Sequence, residues 1–286
     1  MNSLNLTRAI ENAVERAERL DALVHIPVTA STIEEDGVPL QLLSVTPGEL
    51  TVRKPINRGR PTDHNPFLPY EENLFVADLG PQHVAILNKF PVHSGHLLII
   101  TRDFQEQTAA LTLPDLAALA QAMRQVDGLV IFNGGPGAGA SQRHKHLQLI
   151  PGQQAFIEPW LSPSAAPLQA LQLSTLRYRH AFATLDSRIL EQQPEAWAAH
   201  LYLAYERLLA HLDLTPDEDG HLPPYNLLVT RRWMMAIPRT ASLWTHNDLK
   251  LPLNAISFSG NLLIYGRELG PIIRERGVRR ILSEVT

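Results

Sequence analysis

At 286 residues, with 44% apolar and 19% charged side chains, the chain has the composition of an ordinary soluble globular protein of one large domain or two modest ones. Its net charge of -4 argues against a general nucleic-acid binder, because holding a phosphate backbone relies on a basic surface. The absence of cysteine removes a disulfide scaffold, a thiol nucleophile and a thiolate zinc site together. No apolar run reaches the roughly 20 residues of a membrane span, and Met1-Asn2-Ser3 leads into a charged segment without an apolar signal core, so the cytoplasm is the expected compartment.

Leu6, Ile10, Val14, Ala17 and Leu20 recur at helical spacing among charged residues, which predicts an amphipathic helix over 4–24. Residues 38–54 carry short apolar stretches broken by Pro39, Pro47 and Gly48, the texture of strands and turns, and the proline-rich 55–73 reads as a loop. Three strands follow, Leu74–Leu79, His83–Lys89 and His96–Arg102, with Gly80-Pro81 and Ser94-Gly95 as turns, which makes an antiparallel meander the simplest arrangement. A helix over 114–126 opens at Pro114 and closes at Gly128, and a strand, Leu129–Asn133, runs into a glycine-rich loop that a second strand, His144–Ile150, leaves. Helices are expected over 164–186 and 195–212, then strands at Tyr225–Thr230, Trp233–Ile237, Asn254–Phe258 and Leu262–Tyr265. No internal repeat is present. A division near residue 160 is expected, with the sheet free to continue across it.

The chemistry concentrates in Asn133-Gly-Gly-Pro-Gly-Ala-Gly-Ala-Ser141-Gln142-Arg143-His144-Lys145-His146-Leu147-Gln148. In a strand, alternate side chains share a face, so His144, His146 and Gln148 project together, while Lys145, Leu147 and Leu149 project the other way. Neighbours at that spacing stand roughly 6.5–7 Å apart, room for one phosphoryl group. Glycines let backbone N–H groups turn toward an anion, and Asn133, Ser141 and Gln142 add neutral donors. An imidazole near its ordinary pKa of about 6.5 is largely uncharged at neutral pH, so it can attack phosphorus and split one hard displacement into two.

Gly135-x-Gly137-x-x-Ala140 matches a relaxed dinucleotide fingerprint, but that fingerprint must open a helix and a histidine-bearing strand follows instead. A P-loop fails because no Gly-Lys-Ser/Thr follows. His93 with His96, or His144 with His146, offers imidazoles to zinc without a clear third ligand at fixed spacing. A purely structural role fits poorly to two histidines and a glutamine on one face beside a glycine nest.

With these residues in place, Gly139-Ala-Ser-Gln-Arg-His-Lys-His-Leu-Gln148 resembles the signature of the diadenosine tetraphosphate phosphorylases, also called ATP adenylyltransferases, of the histidine-triad superfamily. Asn65-Pro-Phe-Leu-Pro69, Leu87-Asn-Lys-Phe90 with His96 following, Phe104-Gln-Glu-Gln107, Tyr225-Asn-Leu-Leu-Val229 and Asn254-Ala-Ile-Ser-Phe258 match further pieces, so the likeness runs from about residue 54 to 265. It implies an α+β fold with a histidine-triad-like antiparallel sheet and flanking helices, similar to galactose-1-phosphate uridylyltransferase. Residues 1–160 would form the catalytic domain and 161–286 the C-terminal adenylyltransferase region.

The resemblance also implies roles. His146 would be the adenylylated nucleophile, His144 would orient it, and Gln148, standing where the hydrolase branch has a third histidine, would hold a non-bridging phosphate oxygen. Gly139, Ala140, Ser141 and Gln142 would bind the phosphate chain. Asn88, Lys89 and Asn133 would contact substrate, with Asn254, Ala255 and Ile256 from the C-terminal part. Lys54, in the basic run Arg53, Lys54, Arg58, Arg60, would be an N-terminal phosphate ligand. The implied partners are small molecules (diadenosine polyphosphate, ATP, ADP, phosphate), not nucleic acid or membrane, with no metal held by the protein, no tightly bound cofactor, and magnesium carried on the polyphosphate. The sequence sets no oligomeric state. A uridylyltransferase, a dinucleoside polyphosphate hydrolase and a non-catalytic dinucleotide sensor are the alternatives.

Overall fold

The computed structural model describes residues 5–45, 64–161, 166–266 and 268–286. Helix α1 (Leu6–Arg19) is capped by the Asn5 side chain and lays Leu6, Ile10, Ala13 and Ala17 on the core; of the expected stripe, Val14 is half-buried at its edge and Leu20, just past the helix, is exposed. β1 (Val28–Glu35) and β2 (Val38–Val45) form an antiparallel hairpin, and β13 (Asn261–Tyr265), from near the end of the chain, joins β2 in parallel.

The main sheet has eight strands, all paired antiparallel: β3 (Phe75–Asp78), β4 (His83–Leu87), β5 (Leu97–Thr101), β6 (Gly128–Gly134), β7 (His146–Pro151), β8 (Ala181–Thr184), β9 (Tyr225–Val229) and β10 (Trp233–Pro238). Their spatial order is β3-β4-β5-β7-β6-β9-β10-β8. The expected meander is therefore its β3-β4-β5 end, and the sheet continues into the C-terminal part through the β6–β9 pairing. β4, β5, β6, β9 and β10 are buried at every residue, which is why they read as unbroken apolar runs rather than alternating ones.

Helices α1, α2 (Leu113–Gln125) and α3 (Pro194–His211) share one core with Val130, Phe132, Leu147, Leu149, Leu227 and Val229. A second core, over the opposite face, joins Leu129, Ile131, Ile150 and Leu228 to β2, β13, the hairpin β11 (Leu243–His246) and β12 (Leu249–Pro252), and the terminal helices α4 (Leu269–Arg276) and α5 (Val278–Ser283). α2 starts at a capping box: Thr112 takes the Asp115 N–H and Asp115 takes the Thr112 N–H, with Pro114 in the first turn where a missing N–H costs nothing.

Two expected elements differ. A helix is expected over 164–186, yet beyond the undescribed 162–165 the chain is irregular, with positive φ at Leu168 and Arg177 and a short 3-10 turn, Ser174–Leu176. The segment then ends in β8, which pairs with β10, so an edge-strand pairing overrides the helical pattern. The expected strand Asn254–Phe258 is a 3-10 helix, Ala255–Ser259, because Asn254 and Ser257 form a capping box that turns the chain. β1 and the β11–β12 hairpin are additions that the pattern did not predict.

Candidate active site

The β6–β7 ladder runs from Gly128 opposite Pro151 to Ile131 opposite Gln148 and stops there. Past that point the carboxamide of Gln107, 1% exposed, replaces it. Its Oε1 accepts the His146 N–H at 2.8 Å, and its Nε2 donates to the carbonyls of Asn133 at 2.9 Å and His146 at 3.2 Å. The two central strands part at this end, and a side chain bridges them. Residues 143–145 pair instead with 105–107, Lys145 N–H donating to the Gln105 carbonyl and Gln107 N–H to that of Arg143. This is why the strand begins at His146 rather than at His144 as expected. The expected faces hold all the same: Phe67 stands edge-on to both the His144 and the His146 rings, at 5.6 and 5.3 Å between centroids. Lys145 turns to the helix side and meets Asp115 of α2 at 3.2 Å.

The hydrogen bonds set each imidazole's tautomer. His146 Nδ1 lies 2.8 Å from the His144 carbonyl, which can only accept, so the proton sits on Nδ1 and Nε2 carries the lone pair. Burial pushes this imidazole down to about 4, so it is neutral at physiological pH. Nε2 makes no hydrogen bond among the described residues. His144 donates from Nε2 to the Thr101 carbonyl at 2.8 Å and accepts at Nδ1 from Asn65 Nδ2 at 2.9 Å, and burial lowers its pKa as well.

His96, buried and pushed down by burial to about 4, donates from Nε2 to Gln148 Oε1 at 3.0 Å and accepts at Nδ1 from Asn88 Nδ2 at 3.3 Å. The two asparagines work alike. Asn65 Oδ1 takes the N–H of Phe67 and Asn88 Oδ1 that of Phe90, which turns each Nδ2 onto a histidine.

Two side-chain amides are left with their donors unengaged among the described residues. The Gln148 oxygen is held by His96, leaving Nε2 outward. Asn133 Oδ1 accepts from both Asn226 Nδ2 at 2.9 Å and Ala255 N–H at 2.8 Å, so its Nδ2 is the free end. Neutral N–H groups beside an uncharged imidazole suit an oxyanion.

The glycine-rich loop is tighter than a simple cradle. Gly139 has φ +88°, and a Cβ there would come within 2.8 Å of Asn254 Cβ, so only glycine lets the loop seat on the C-terminal part. The N–H groups of Ala138, Gly139 and Ala140 are spent on Gly135 and Pro136 carbonyls within the turn. The expected phosphate contacts from Gly139 and Ala140 N–H are thus consumed, and Ser141 and Gln142, whose N–H groups make no such bond, remain.

Asn88 serves His96, as described, and Lys89 ion-pairs with Glu71 at the surface. Asn254 backs the loop, Ala255 serves Asn133, and Ile256 packs on the second core. Lys54 lies outside the described residues. No group of three or more potential metal ligands is assembled among the described residues. Asn65, His96, Gln107 and Asn226 support the site residues through hydrogen bonds that the sequence did not assign. All four lie inside or beside the family-like pieces, the only signal available.

A buried neutral imidazole with Nδ1 fixed on a carbonyl and the lone pair on Nε2 has the chemistry that a histidine nucleophile needs. The first 166 residues match the family model described as Ap4A phosphorylase N-terminal domain, and residues 174–286 match that of ATP adenylyltransferase C-terminal domain. The chain belongs to the Ap4A phosphorylase family, a family of nucleotidyltransferases. It is 30% identical over 231 residues to diadenosine 5',5'''-P1,P4-tetraphosphate phosphorylase 2 of Saccharomyces cerevisiae, covering 71% of this chain and 70% of that one. With Protein APA1 of the same yeast it shares 27% over 254 residues, 79% and 76% of the two chains. The fold matches the crystal structure of yeast Ap4A phosphorylase Apa2 with a TM-score of 0.79 at 24% identity, covering 99% of this chain and 98% of that one. It matches the same enzyme in complex with Ap4A with a TM-score of 0.77 at 22% identity, covering 99% and 98%.

Proposed function

We propose that this protein splits diadenosine tetraphosphate with inorganic phosphate, giving ATP and ADP by way of an adenylyl-histidine. The observation that carries the reading is the hydrogen bond from His146 Nδ1 to the His144 carbonyl, which puts the proton on Nδ1 and leaves the lone pair of the uncharged ring on Nε2. Nε2 attacks the α-phosphorus, a P–N bond forms, and the P–O bond to ATP breaks. The positive charge that develops on the imidazole is spread through Nδ1–H onto the carbonyl, and charge on the phosphoryl oxygens meets Gln148 Nε2, Asn133 Nδ2 and Ser141. Phosphate then attacks the adenylyl group, the P–N bond breaks and ADP leaves. The relatives carry substrate names that fit this reading: one curated relative is named for diadenosine tetraphosphate, and one matching structure holds Ap4A.

We assign the catalytic strand and glycine loop to a domain of residues 1–160, and to residues 161–286 the support of the loop and of Asn133. The reading needs no resident cofactor; magnesium travels on the polyphosphate. We place the reaction in the cytoplasm, the compartment that holds the ATP and ADP pools.

The test is incubation of labelled diadenosine tetraphosphate with and without phosphate. Phosphate-dependent ADP supports the reading, AMP points to a hydrolase, and binding without turnover to a sensor. His146→Ala should abolish turnover with the fold intact; wild-type rates in that variant would refute the nucleophile. Two in-line displacements retain configuration at a chiral thiophosphate, and a single inversion would reject the covalent intermediate.

A further inference from the structure

Arg239 follows β10 and is 5% exposed, a buried guanidinium. None of the ion pairs among the described residues involves it. Its donors go to neutral oxygens: the carbonyls of Leu253 at 3.2 Å, Ala241 at 2.5 Å and Val285 at 3.2 Å, and Asn226 Oδ1 at 2.5 Å, with the Phe258 ring 4.9 Å from Cζ. Burial lowers its pKa to about 10, which leaves it charged at neutral pH. A buried charge is normally paired, because desolvating it is costly. This one is solvated by dipoles alone.

Those dipoles lead to the phosphate site. Because Arg239 Nη1 claims Asn226 Oδ1, Asn226 Nδ2 must face the other way, where it donates to Asn133 Oδ1 at 2.9 Å and the Ala138 carbonyl at 2.8 Å. The first bond turns Asn133 Nδ2 toward the site, and the second ties the glycine loop to β9. The chain Arg239, Asn226, Asn133 polarises in one sense, positive end toward the site, in surroundings too dry to screen it.

We propose that Arg239 is a positioning residue for phosphate binding: it sets the polarity of the Asn226–Asn133 relay, and its uncompensated charge finds its counter-ion in the substrate's phosphates. The proposal rests on the phosphoryl-transfer reading of the site. It predicts that the contribution of Arg239 scales with the negative charge of the ligand, which a scaffold role would not do.

The test is equilibrium binding of ATP, AMP and adenosine, read by calorimetry on variants that keep a cooperative thermal transition. Arg239→Met should weaken ATP roughly tenfold or more, AMP less, and adenosine hardly at all, while Arg239→Lys, which keeps the charge, recovers most of the ATP affinity. Equal losses for the three ligands, or none, would overturn the proposal. Should Arg239→Met fail to fold, Asn226→Leu carries the test, since it cuts the relay but leaves Arg239 its three backbone carbonyls. The same graded loss is expected there, and unchanged ATP affinity would refute the relay. Because binding is measured without turnover, a wild-type protein that makes no ADP from diadenosine tetraphosphate would sink the catalytic reading and leave this result to stand or fall separately.

Discussion

At His146, two nitrogens 2.2 Å apart in any imidazole are given opposite tasks by one backbone carbonyl. With burial holding its pKa at about 4, the acid limb of kcat/KM should fall near pH 4–5 rather than near 6.5. A limb at 6.5 in a pH–rate profile would mean an exposed, ordinary histidine. Gln107 acts on the same residue from behind. Gln107→Ala removes the acceptor for the His146 N–H and the donor to two carbonyls, groups too buried for water to serve freely. It should cost about 1–3 kcal/mol of stability and lower kcat more than it raises KM, because on the proposed mechanism the misplaced group is the nucleophile and not a substrate contact. Steady-state kinetics beside a urea melt checks both halves, and a pure KM effect would contradict the assigned role.

At the scale of elements, the buried Lys145–Asp115–His83 cluster fastens the start of β7 to α2 and β4. Asp115 is held down to about 2: burial alone would raise it, but the hydrogen bond from His83, the Lys145 charge and the Thr112 donors outweigh that. Asp115→Ala leaves a lysine 1% exposed without its carboxylate and removes half of a helix cap, so a loss of about 3–5 kcal/mol is expected in chemical denaturation. A loss under about 1 kcal/mol would show that Lys145 finds water or another partner. The division of faces along His144 to Leu149 was legible in the sequence because strand alternation is local, and α1, α2 and α3 were legible from their apolar spacing and caps. The supports were not. Asn65 reaches His144 across 79 positions, Gln107 reaches His146 across 39 and Asn226 reaches Asn133 across 93, and no local pattern encodes such meetings. The false helix over 164–186 failed for the same reason, since β8 exists only through its partner β10.

For the whole molecule, His96, His146 and His180 are each pushed down to about 4, chiefly by burial. A folded-state pKa below the unfolded value of about 6.5 gives stability that is present above pH 6.5 and lost as pH falls toward and through 4, because the unfolded chain takes up protons that the fold refuses. Three such groups imply a slope of up to about 4 kcal/mol per pH unit near pH 5. Urea midpoints measured from pH 7.5 down to about 4.5 should be flat at first and then drop steeply; no drop would mean that these histidines ionise inside the fold. The pairing of β6 with β9 has a consequence for dissection of the molecule. Cleaving the polypeptide after Leu161 would strand a seven-residue apolar edge on one fragment and its five-residue mate on the other. Produced separately, the pieces should be sticky and inert; mixed, they should zip together along that seam and recover activity, a split enzyme whose reassembly reports on itself.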